Sequence, residues 1–541
     1  MNKLHLRIIG FLIGSFLMTG CQKKVNDWDI DSSHDRLFKS LVFETSKIDA
    51  TELEIRYTQT ISAEKYVFEF SKDSLMFSEI VKTVEILADT LTPFAPSTSP
   101  ARVEYRTMFG DLDGNSQYSV RMKGVNMTSG TESNYSVLTF KTLSEQLFSG
   151  SEIFIDRFIL KWRPTDRVTH ISVFDAITGE EKQNVVLTEQ MKQNGHCEIK
   201  DLTSGTNYRV VIYNEDIERG VLTLKTSGLQ GGVTIAINPG DDIPALVSQA
   251  ISQGSPNVIL LFKGGQTYDL GVLTLPAGLS NVSFTGEPDA NGAKPQLKLA
   301  ELKLSDLIFG KVLLENIALM GTNINGYFVN LSTNGVAVEE YAFVDCYMTT
   351  YRSAVRLGNN SLSVKNILFD DCIIHNMGGY GIVNVAGSTP VVDSISFKNS
   401  TLTELSTQMM DVRNKVKQIY IGNCTFYNQN VALTQLLRFD TNNLPLAVTT
   451  ESNILSGNNS GGKINSLNYN MANTSVNISF GGSYRTNELT INQYDFADIS
   501  VFNGSAADLF VDPENRNFSI KPTANFAGRG SAGDPRWLMG N

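Results

Sequence analysis

"FVDCYMTTYRS" (343–353) and "FDDCIIHNMGG" (369–379) share one pattern: a Phe, an Asp two residues later, and then a Cys. "FKNSTLTELST" (397–407) and "IGNCTFYNQNV" (421–431) repeat it with Asn in place of Asp; the first has Ser in place of Cys, and the second has Ile in place of Phe. The Asp or Asn stands at positions 345, 371, 399 and 423, so the period is 24 to 28 residues. Self-similarity at this period is typical of a solenoid, whose repeats bury their hydrophobic faces only by stacking on one another.

Each repeat holds short apolar runs of strand length and no helical periodicity, which predicts a coil of parallel β-strands. Neighbouring coils would lie about 4.8 Å apart, so every position of the repeat becomes a ladder of equivalent residues. We therefore expect aromatic rings to stack on rings and the small Cys or Ser to face inward. The Asp and Asn ladder is expected to hydrogen-bond backbone groups of a turn.

A second set of strands follows the first in each repeat. Its members are "YFVNLS" (327–332), "SAVRLG" (353–358), "GIVNVA" (381–386), "QMMDVR" (408–413) and "QLLRFD" (435–440). Alternation leaves one outward column, here named the stripe, which contains Asn330, Arg356, Asn384, Asp411 and Arg438. The next outward column, named the side column, contains Ser332, Gly358, Ala386, Arg413 and Asp440.

Opposite charges on neighbouring coils are expected to form ion pairs. Asp411 would pair with Arg438, and Asp440 with Arg413, in exposed ion pairs worth roughly 0–1 kcal/mol each. Arg356 differs, because its neighbours in the stripe are both Asn. It is therefore the leading candidate for a functional residue.

The region before the repeats contains short alternating strands and two matching segments. "LDGNSQYSVRMKGVN" (112–126) and "LTSGTNYRVVIYNED" (202–216) each have a Leu, a polar turn and a Tyr six residues later. They resemble the tyrosine-corner strand of fibronectin type III modules, and "FILKW" (158–162) resembles the strand that carries their Trp. The resemblance implies two modules, at 33–143 and 144–226, followed by a linker at 227–232.

"PGDDIPALVSQAISQGSPNVILLFKGGQTYDL" (239–270) has an amphipathic helical pattern followed by a buried-strand run. It resembles the N-terminal segment of pectin-lyase-like right-handed β-helices, in which a short helix covers the first coil. The resemblance implies a right-handed parallel β-helix over 233–541, with a capping helix at about 242–253. An irregular closing segment is expected at about 500–541. The expected fold class is thus all-β: two fibronectin type III-like sandwiches, then a parallel β-helix.

The N-terminus has the pattern of an export signal. Lys3 and Arg7 precede the apolar run "IIGFLIGSFLM" (8–18), which is too short to span a bilayer. The run ends in "LMTGC" (17–21), which resembles a bacterial lipobox. The resemblance implies a signal peptide at 1–20, acylation of Cys21, a tether at 21–32, and an outer-membrane or cell-surface location facing outward. The alternative is a simple secretory signal with an incidental Cys.

Composition excludes two classes of function. The 45 basic and 56 acidic residues give a formal net charge of −11, which argues against a nucleic-acid partner. The chain has 5 His and neither a His-Glu-x-x-His helix nor paired Cys-x-x-Cys, which argues against a zinc site.

Altogether the chain resembles β-helix lipoproteins with fibronectin type III modules that accompany bacterial glycan-utilisation systems. The resemblance implies that the stripe lines a groove for an acidic, pectin-like polysaccharide, and it leaves room for protein partners at the outer membrane. Two alternatives stay open: a polysaccharide lyase acting by β-elimination, and a non-catalytic glycan-binding or structural surface lipoprotein. Arg356 is the candidate catalytic base. The candidate substrate-binding residues are Asn330, Asn384, Asp411, Arg413, Arg438 and Asp440, with Tyr351, Arg352, His375 and Tyr380 from adjoining loops.

Calcium is the cofactor that the lyase alternative would use, but the two columns supply only two carboxylates. Ca²⁺ takes six to eight oxygen ligands. A glycoside hydrolase, which needs a pair of carboxylates across the scissile bond, ranks lower because the signatures of polygalacturonases are absent.

Overall fold

The computed structural model describes residues 36–94, 103–429, 432–459, 462–468 and 478–538. The expected signal peptide, Cys21 and the tether lie outside the described residues. Among the residues described, no helix is long and apolar enough to cross a membrane. The described residues form two compact units. One comprises those up to Leu147 with Arg167–His170 and Val211–Val221, and the other comprises Phe148–Asp166, Ile171–Val210 and those from Leu222 onward.

The first sandwich is built from antiparallel strands. They are β1 Phe43–Ile48, β2 Leu53–Thr58, β3 Lys65–Ser71, β4 Lys82–Leu87, β5 Glu104–Phe109, β6 Gln117–Val125 and β7 Ser136–Lys141, with a short 3₁₀ helix at Ala88–Thr90. The sheets have the orders β1-β2-β5 and β4-β3-β6-β7. Tyr118 is buried and its hydroxyl accepts a hydrogen bond from the Asp113 N–H at 3.0 Å, as expected of a tyrosine corner.

The second sandwich repeats the arrangement. Its elements are β8 Phe148–Ile153, β9 Phe158–Trp162, β10 His170–Asp175, β11 Glu181–Val186, α1 Glu189–Asn194, β12 His196–Ile199, β13 Asn207–Asn214 and β14 Ile217–Lys225. The sheet orders β12-β9-β8 and β11-β10-β13-β14 match those of the first sandwich strand for strand. The Tyr208 hydroxyl accepts from the Thr203 N–H at 2.9 Å, and Trp162 is buried. Both fibronectin type III-like sandwiches are thus confirmed.

The rest of the chain is a parallel β-helix. In chain order its elements are β15 Val233–Ile237, α2 Ile243–Ser252, β16 Asn257–Lys263, β17 Thr267–Leu275, β18 Asn281–Glu287, β19 Gln296–Leu304, β20 Ile308–Glu315, β21 Ala318–Met320, β22 Tyr327–Leu331, β23 Ala337–Val344, β24 Tyr347–Thr349, β25 Ser353–Leu357, β26 Ser363–Asp370, β27 Ile373–Met377, β28 Val383–Val385, β29 Val391–Lys398, β30 Thr401–Leu405, β31 Met410–Val412, β32 Gln418–Gly422, β33 Thr425–Tyr427, β34 Gln435–Phe439, β35 Val448–Glu451, β36 Ile454–Ser456, β37 Asn465–Leu467, β38 Tyr484–Thr486 and β39 Ser500–Phe502.

These strands form three sheets whose ladders run along the solenoid. In the part of the chain that the structure describes, sheet A has nine strands from β15 to β35, sheet B has ten from β17 to β39, and sheet C has six from β22 to β37. Each coil contributes one strand to each sheet wherever all three are formed. The predicted parallel β-helix is confirmed.

The core of the β-helix is a set of ladders. The rings of Phe343 and Phe369 are stacked with centroids 4.6 Å apart, and those of Phe369 and Phe397 with centroids 4.7 Å apart. The small residues predicted to face inward are all buried: Cys346, Cys372, Ser400 and Cys424.

The backbone conformation gives a further reason, beyond the predicted hydrogen bonds, why Asp and Asn occupy this ladder. Asp345, Asp371, Asn399 and Asn423 all have φ between 49° and 56°. This left-handed region is unfavourable for most residues but is tolerated by Asn and Asp. The repeat therefore selects these residue types at the bend after each sheet A strand. Neighbouring side chains also bond along the ladder, since Asn423 Nδ2 donates to Asn399 Oδ1 at 3.3 Å.

The two ends of the β-helix are closed differently. Helix α2 begins after Asp242, whose carboxylate accepts from the Ala245 N–H at 3.1 Å, and it buries Ile243, Val247 and Ala250 against the first coils.

The closing segment contains α3 Ala506–Leu509, the hairpin β40 Phe510–Asp512 and β41 Asn517–Ile520, and a 3₁₀ helix at Pro535–Trp537. It packs against the outer face of sheet B, where Tyr427 and Ile454 join its apolar cluster. The Asp534 carboxylate accepts from Thr401 Oγ1 at 2.6 Å.

Candidate functional site

The predicted register of the stripe is present, but two of its five members, Asn384 and Asp411, are buried and do not face the surface as expected. Strand pairing in sheet C places Asn330 beside Arg356, Arg356 beside Asn384, Asn384 beside Asp411, and Asp411 beside Arg438. The flanking apolar residues of these strands are buried in the core. The stripe forms because only this register puts every hydrophobic side chain of the five strands inside.

Asp411 is the electrostatic centre of the stripe, and it is completely buried. Its carboxylate accepts from Asn384 Nδ2 at 3.1 Å and from Arg438 Nη1 at 3.1 Å. Arg413, just after the end of strand β31, donates through Nε at 3.1 Å and through Nη2 at 2.8 Å. The carboxylate raises the pKa of Arg413 above its usual range. Asp411 is therefore saturated with donors and holds two guanidinium groups at the surface.

Of the two predicted ion pairs, the one between Asp411 and Arg438 is present and the one between Asp440 and Arg413 is wrong. Asp411 pairs with Arg438 as expected, but Arg413 also turns to Asp411 and not to Asp440. Asp440 instead accepts from the Asn442 N–H at 2.8 Å, in a local turn. Arg413 prefers Asp411 because that carboxylate lies only two residues earlier in the chain and is shielded from water, which strengthens the attraction.

Arg356 has no carboxylate partner among the described residues. Its Nη1 donates to Asn330 Oδ1 at 2.7 Å, and its guanidinium lies 5.3 Å from the centre of the Tyr327 ring. Its Nε is buried and makes no hydrogen bond to any residue the structure describes. On the next coil, Asn384 Oδ1 is likewise buried and unbonded within the described part of the chain. A buried donor on one coil of the stripe and a buried acceptor on the next coil thus lack hydrogen-bond partners among the described residues.

Arg352 and Tyr380 lie beside the stripe, as predicted. The Arg352 guanidinium is 3.6 Å from the centre of the Tyr380 ring, and its Nη1 donates to the Tyr327 hydroxyl at 3.2 Å. The two tyrosine rings have centroids 6.1 Å apart.

Sequence reasoning missed Tyr327. Strict alternation of inward and outward side chains would bury Tyr327 together with Val329. Instead, the consecutive residues Phe328 and Val329 are both buried, so the alternation shifts by one residue at the corner of the coil. The same doubling recurs at Ile382 and Val383, and at Met409 and Met410. This recurring pair of apolar residues was the signal in the sequence that could have identified the corner.

Tyr351 does not belong to the site, so its prediction is wrong. The side chain is 1% exposed, and its hydroxyl donates to the Leu299 carbonyl at 2.5 Å inside the solenoid. Its ring also contacts that of Phe328. Tyr351 follows a positive-φ residue, Thr350, which turns the chain inward at this corner.

His375 lies on sheet B and not on the stripe, which is part of sheet C. Its ladder neighbours are Thr349 and Thr403, as predicted, and its Nδ1 is 3.0 Å from Thr403 Oγ1. Burial lowers the pKa of His375, while the Glu404 carboxylate opposes that effect. Nearby, the closing segment crosses the same face, where Arg516 donates to the Tyr347 hydroxyl.

Two depressions lie at the ends of the stripe. One has a volume of about 220 Å³ and is lined by Arg413, Arg438 and Asp440 together with Asn442 and Asn468. The other has a volume of about 410 Å³ and includes Asn330 in its wall. The stripe therefore joins an arginine-lined depression to a second one four coils away.

The residues do not fit a calcium site. No group of three or more His, Cys, Asp or Glu that could hold a metal ion occurs in the described ranges. Of the two carboxylates on the columns, Asp411 is already occupied by two arginines. Nor does Asp411 fit the role of a hydrolase carboxylate, because it is buried and paired.

Comparison with known proteins finds one family model that matches part of the chain, and solved structures of low overall similarity. A family model described as a domain of unknown function (DUF5123) matches residues 419–537. A two-domain fibronectin type III segment from chicken tenascin is 15% identical with a TM-score of 0.22, and the match covers 35% of this chain and 99% of that one. The FN1–FN3 domains of chicken CNTN1 are 14% identical with a TM-score of 0.17, and that match covers 37% of this chain and 70% of that one. Among curated proteins, none matches this chain.

Proposed function

We propose that this protein binds an acidic polysaccharide along the stripe of its β-helix, at the bacterial envelope, where the lipidated Cys21 anchors it facing outward. Binding without cleavage is the function that the geometry supports best. The polymer would lie along the solenoid axis, so that successive sugar residues meet successive coils.

The observation that carries the proposal is the excess of arginine around the stripe. Four guanidinium groups, from Arg352, Arg356, Arg413 and Arg438, face two carboxylates, those of Asp411 and Asp440, although the whole chain has a net charge of −11. Arg352 and Arg356 form no ion pair with any described residue; their contacts are tyrosine rings and Asn330. Arginine binds carboxylates through paired, charge-assisted hydrogen bonds, so this surface suits a uronate.

The buried polar atoms without hydrogen-bond partners also support ligand binding at the stripe. Burying an unpaired donor or acceptor costs about 1–3 kcal/mol, which a bound ligand recovers in part by bonding to that atom. Arg356 Nε and Asn384 Oδ1 lie on neighbouring coils. Tyr327 and Tyr380 add aromatic surface beside them, against which the apolar face of a sugar ring can pack.

The lyase is the second candidate, favoured by the same unpaired Arg356. A guanidinium there could stabilise the enolate charge that develops during β-elimination. It is a poor general base, however, because arginine stays protonated in proteins. Neither depression brings together the three or more carboxylates that a calcium site would need among the described residues. Binding therefore ranks first.

The test is affinity electrophoresis and titration calorimetry over a panel of acidic and neutral polysaccharides, with the ultraviolet absorbance of an unsaturated uronate product followed in parallel. We expect wild type to be retarded by an acidic polymer and the affinity to fall at high salt. The variant Arg356→Ala should bind at least about tenfold more weakly, consistent with the loss of a charged hydrogen bond.

The matched control is Lys365→Ala, which removes the same charge from sheet A, where Lys365 pairs with Glu339. It should bind like wild type. Absence of binding to every acidic polymer, or equal losses in both variants, would refute the proposal. Growth of the absorbance band with wild type and not with Arg356→Ala would replace binding by lyase action.

The anchor is tested separately. Cys21→Ser should release the protein from the membrane fraction and abolish incorporation of labelled fatty acid. If the variant still fractionates with the membrane, Cys21 is not the anchor. The stripe proposal does not depend on that result.

A further inference from the structure

The depression at the Asn330 end of the stripe, here named the Tyr341 notch, has features that an ordinary surface groove lacks. It lies between strand β19 and the loop that follows β22, and Tyr341 of strand β23 forms part of its wall. Asn330 lines it too, and the same Asn330 accepts the hydrogen bond from Arg356. The notch is thus continuous with the stripe.

Tyr341 is buried in an unusual way. Its ladder neighbours in sheet A are Val312 and Ile367, so aliphatic residues occupy the equivalent inward positions of the coils on either side. The hydroxyl of Tyr341 is buried and has no hydrogen-bond partner in the described part of the chain. By contrast, the hydroxyls of the buried Tyr351 and Tyr208 both have backbone partners. Burial raises the pKa of Tyr341, so the hydroxyl stays protonated and can donate.

The charges around the notch disfavour a carboxylate. Glu301 and Asp306 both line it, and its one lysine, Lys303, lies 3.4 Å from the Glu301 carboxylate. Two carboxylates and one ammonium leave a net charge of −1. The depression at the opposite end is lined by two arginines, Arg413 and Arg438, and one carboxylate, Asp440, so its lining has a net charge of +1 and suits an anion. The two ends of the stripe therefore differ in the charge they accept.

The spacing allows one ligand to reach both ends. Asn330 and Arg438 are related by four successive strand pairings in sheet C. Coils are separated by about 4.8 Å, so the two residues lie roughly 19 Å apart along the axis. A short oligosaccharide in an extended conformation covers that distance.

We propose that the Tyr341 notch is a subsite for an uncharged sugar ring, with the Tyr341 hydroxyl bonding one of its hydroxyl groups, while uronates of the same chain contact the arginine end. This inference rests on the proposed function and deepens it. The ligand is then a polymer that contains both uronates and neutral sugars, and not a pure polyuronate.

The decisive variant is Tyr341→Phe. It removes only the unpaired oxygen, so the fold should be retained and the melting temperature should be unchanged or higher. Calorimetry would use two probes of equal length, a pure oligouronate and an oligosaccharide in which uronates alternate with neutral hexoses. Wild type should prefer the mixed probe. The variant should bind that probe about fivefold more weakly, the effect of one lost hydrogen bond, and should bind the pure oligouronate unchanged.

Tyr351→Phe is the matched control, because it removes a buried hydroxyl that already has a partner. It should lower the melting temperature and leave both affinities unchanged. Equal affinity of wild type and Tyr341→Phe for the mixed probe, or a preference of wild type for the pure oligouronate, would overturn the inference. Failure of the proposed function would look different, since wild type would then bind neither probe.

Discussion

Arg438 Nη1 lies 3.1 Å from Asp411 Oδ2 on the neighbouring coil of the β-helix, and Arg413 donates to the same carboxylate from two residues along the chain. One buried anion therefore holds two arginines at the surface in fixed positions. The geometry makes Asp411 a positioning residue for the arginine end of the stripe.

Replacing Asp411 should destabilise the protein. In Asp411→Asn the two guanidinium groups lose their counter-ion while the shape of the side chain is kept, which we expect to cost about 1–3 kcal/mol. Chemical denaturation would measure this change. Asp440→Asn is the control, because Asp440 makes a local turn contact and its substitution should change stability by less than about 0.5 kcal/mol. Equal effects of the two substitutions would contradict the assignment.

The phenylalanine ladder should be the most sensitive part of the core. Phe369 is stacked between Phe343 and Phe397 and is completely buried. Phe369→Ala should cost about 3–5 kcal/mol through the cavity it leaves, and Phe369→Leu considerably less. Denaturation midpoints of the two variants would show the difference. A loss below about 1 kcal/mol for the Ala variant would mean that the ladder is not packed as described.

Asp534 should make stability depend on pH. Burial raises its pKa from an ordinary value of 3.8 to about 6, although Arg536 opposes the shift. The folded chain then binds the proton more tightly than the unfolded chain, so the stability contributed by protonation is complete below about pH 4 and is lost as the pH rises through 6. The loss is up to about 3 kcal/mol for a shift of this size.

Melting temperatures of the protein with and without Asp534→Asn between pH 4 and 8 would test this prediction. The amide does not titrate, so the variant should lose less stability over this range. Asp371, whose pKa burial also raises, pairs with the same Arg536 as Asp534, so both proteins in the comparison would carry Asp371→Asn. Parallel pH profiles would show that Asp534 does not titrate as predicted.

The cysteines should be inert in the folded protein. Cys197, Cys346, Cys372 and Cys424 are free and buried. Burial raises the pKa of Cys197 to about 11 and that of Cys372 well above its ordinary value. In a Cys21→Ser background, a thiol reagent at neutral pH should label none of the four before denaturation and all of them afterwards. Rapid labelling of the native protein would contradict the burial.

Much of the fold could be predicted from the repeat alone. Because strand side chains alternate, only one register of the coils buries Val355, Val383 and Leu437 together, and that register also aligns Arg356 with Asn384. The tyrosine corners were equally visible, since Tyr118 and Tyr208 each follow a Leu and a polar turn at the same spacing. Envelope anchoring and glycan binding stay predictions that rest on Cys21 and on the stripe.

The contacts at the corners could not be predicted. The alternation rule fails where two apolar residues are buried in succession, which is why Tyr327 was missed and Tyr351 was misplaced. The course of the closing segment was also hidden, because its docking of Asp534 on Thr401 joins residues 133 positions apart.

The sequence by itself determined the stacking of coils and the membership of the stripe, because burial of a periodic apolar pattern permits a single alignment. Only the tertiary structure decided that Asp411 pairs with both Arg413 and Arg438, which tyrosines reach the surface and which hydroxyl stays unpaired. Those outcomes depend on side-chain distances of a few ångströms at corners, which a periodic pattern does not encode.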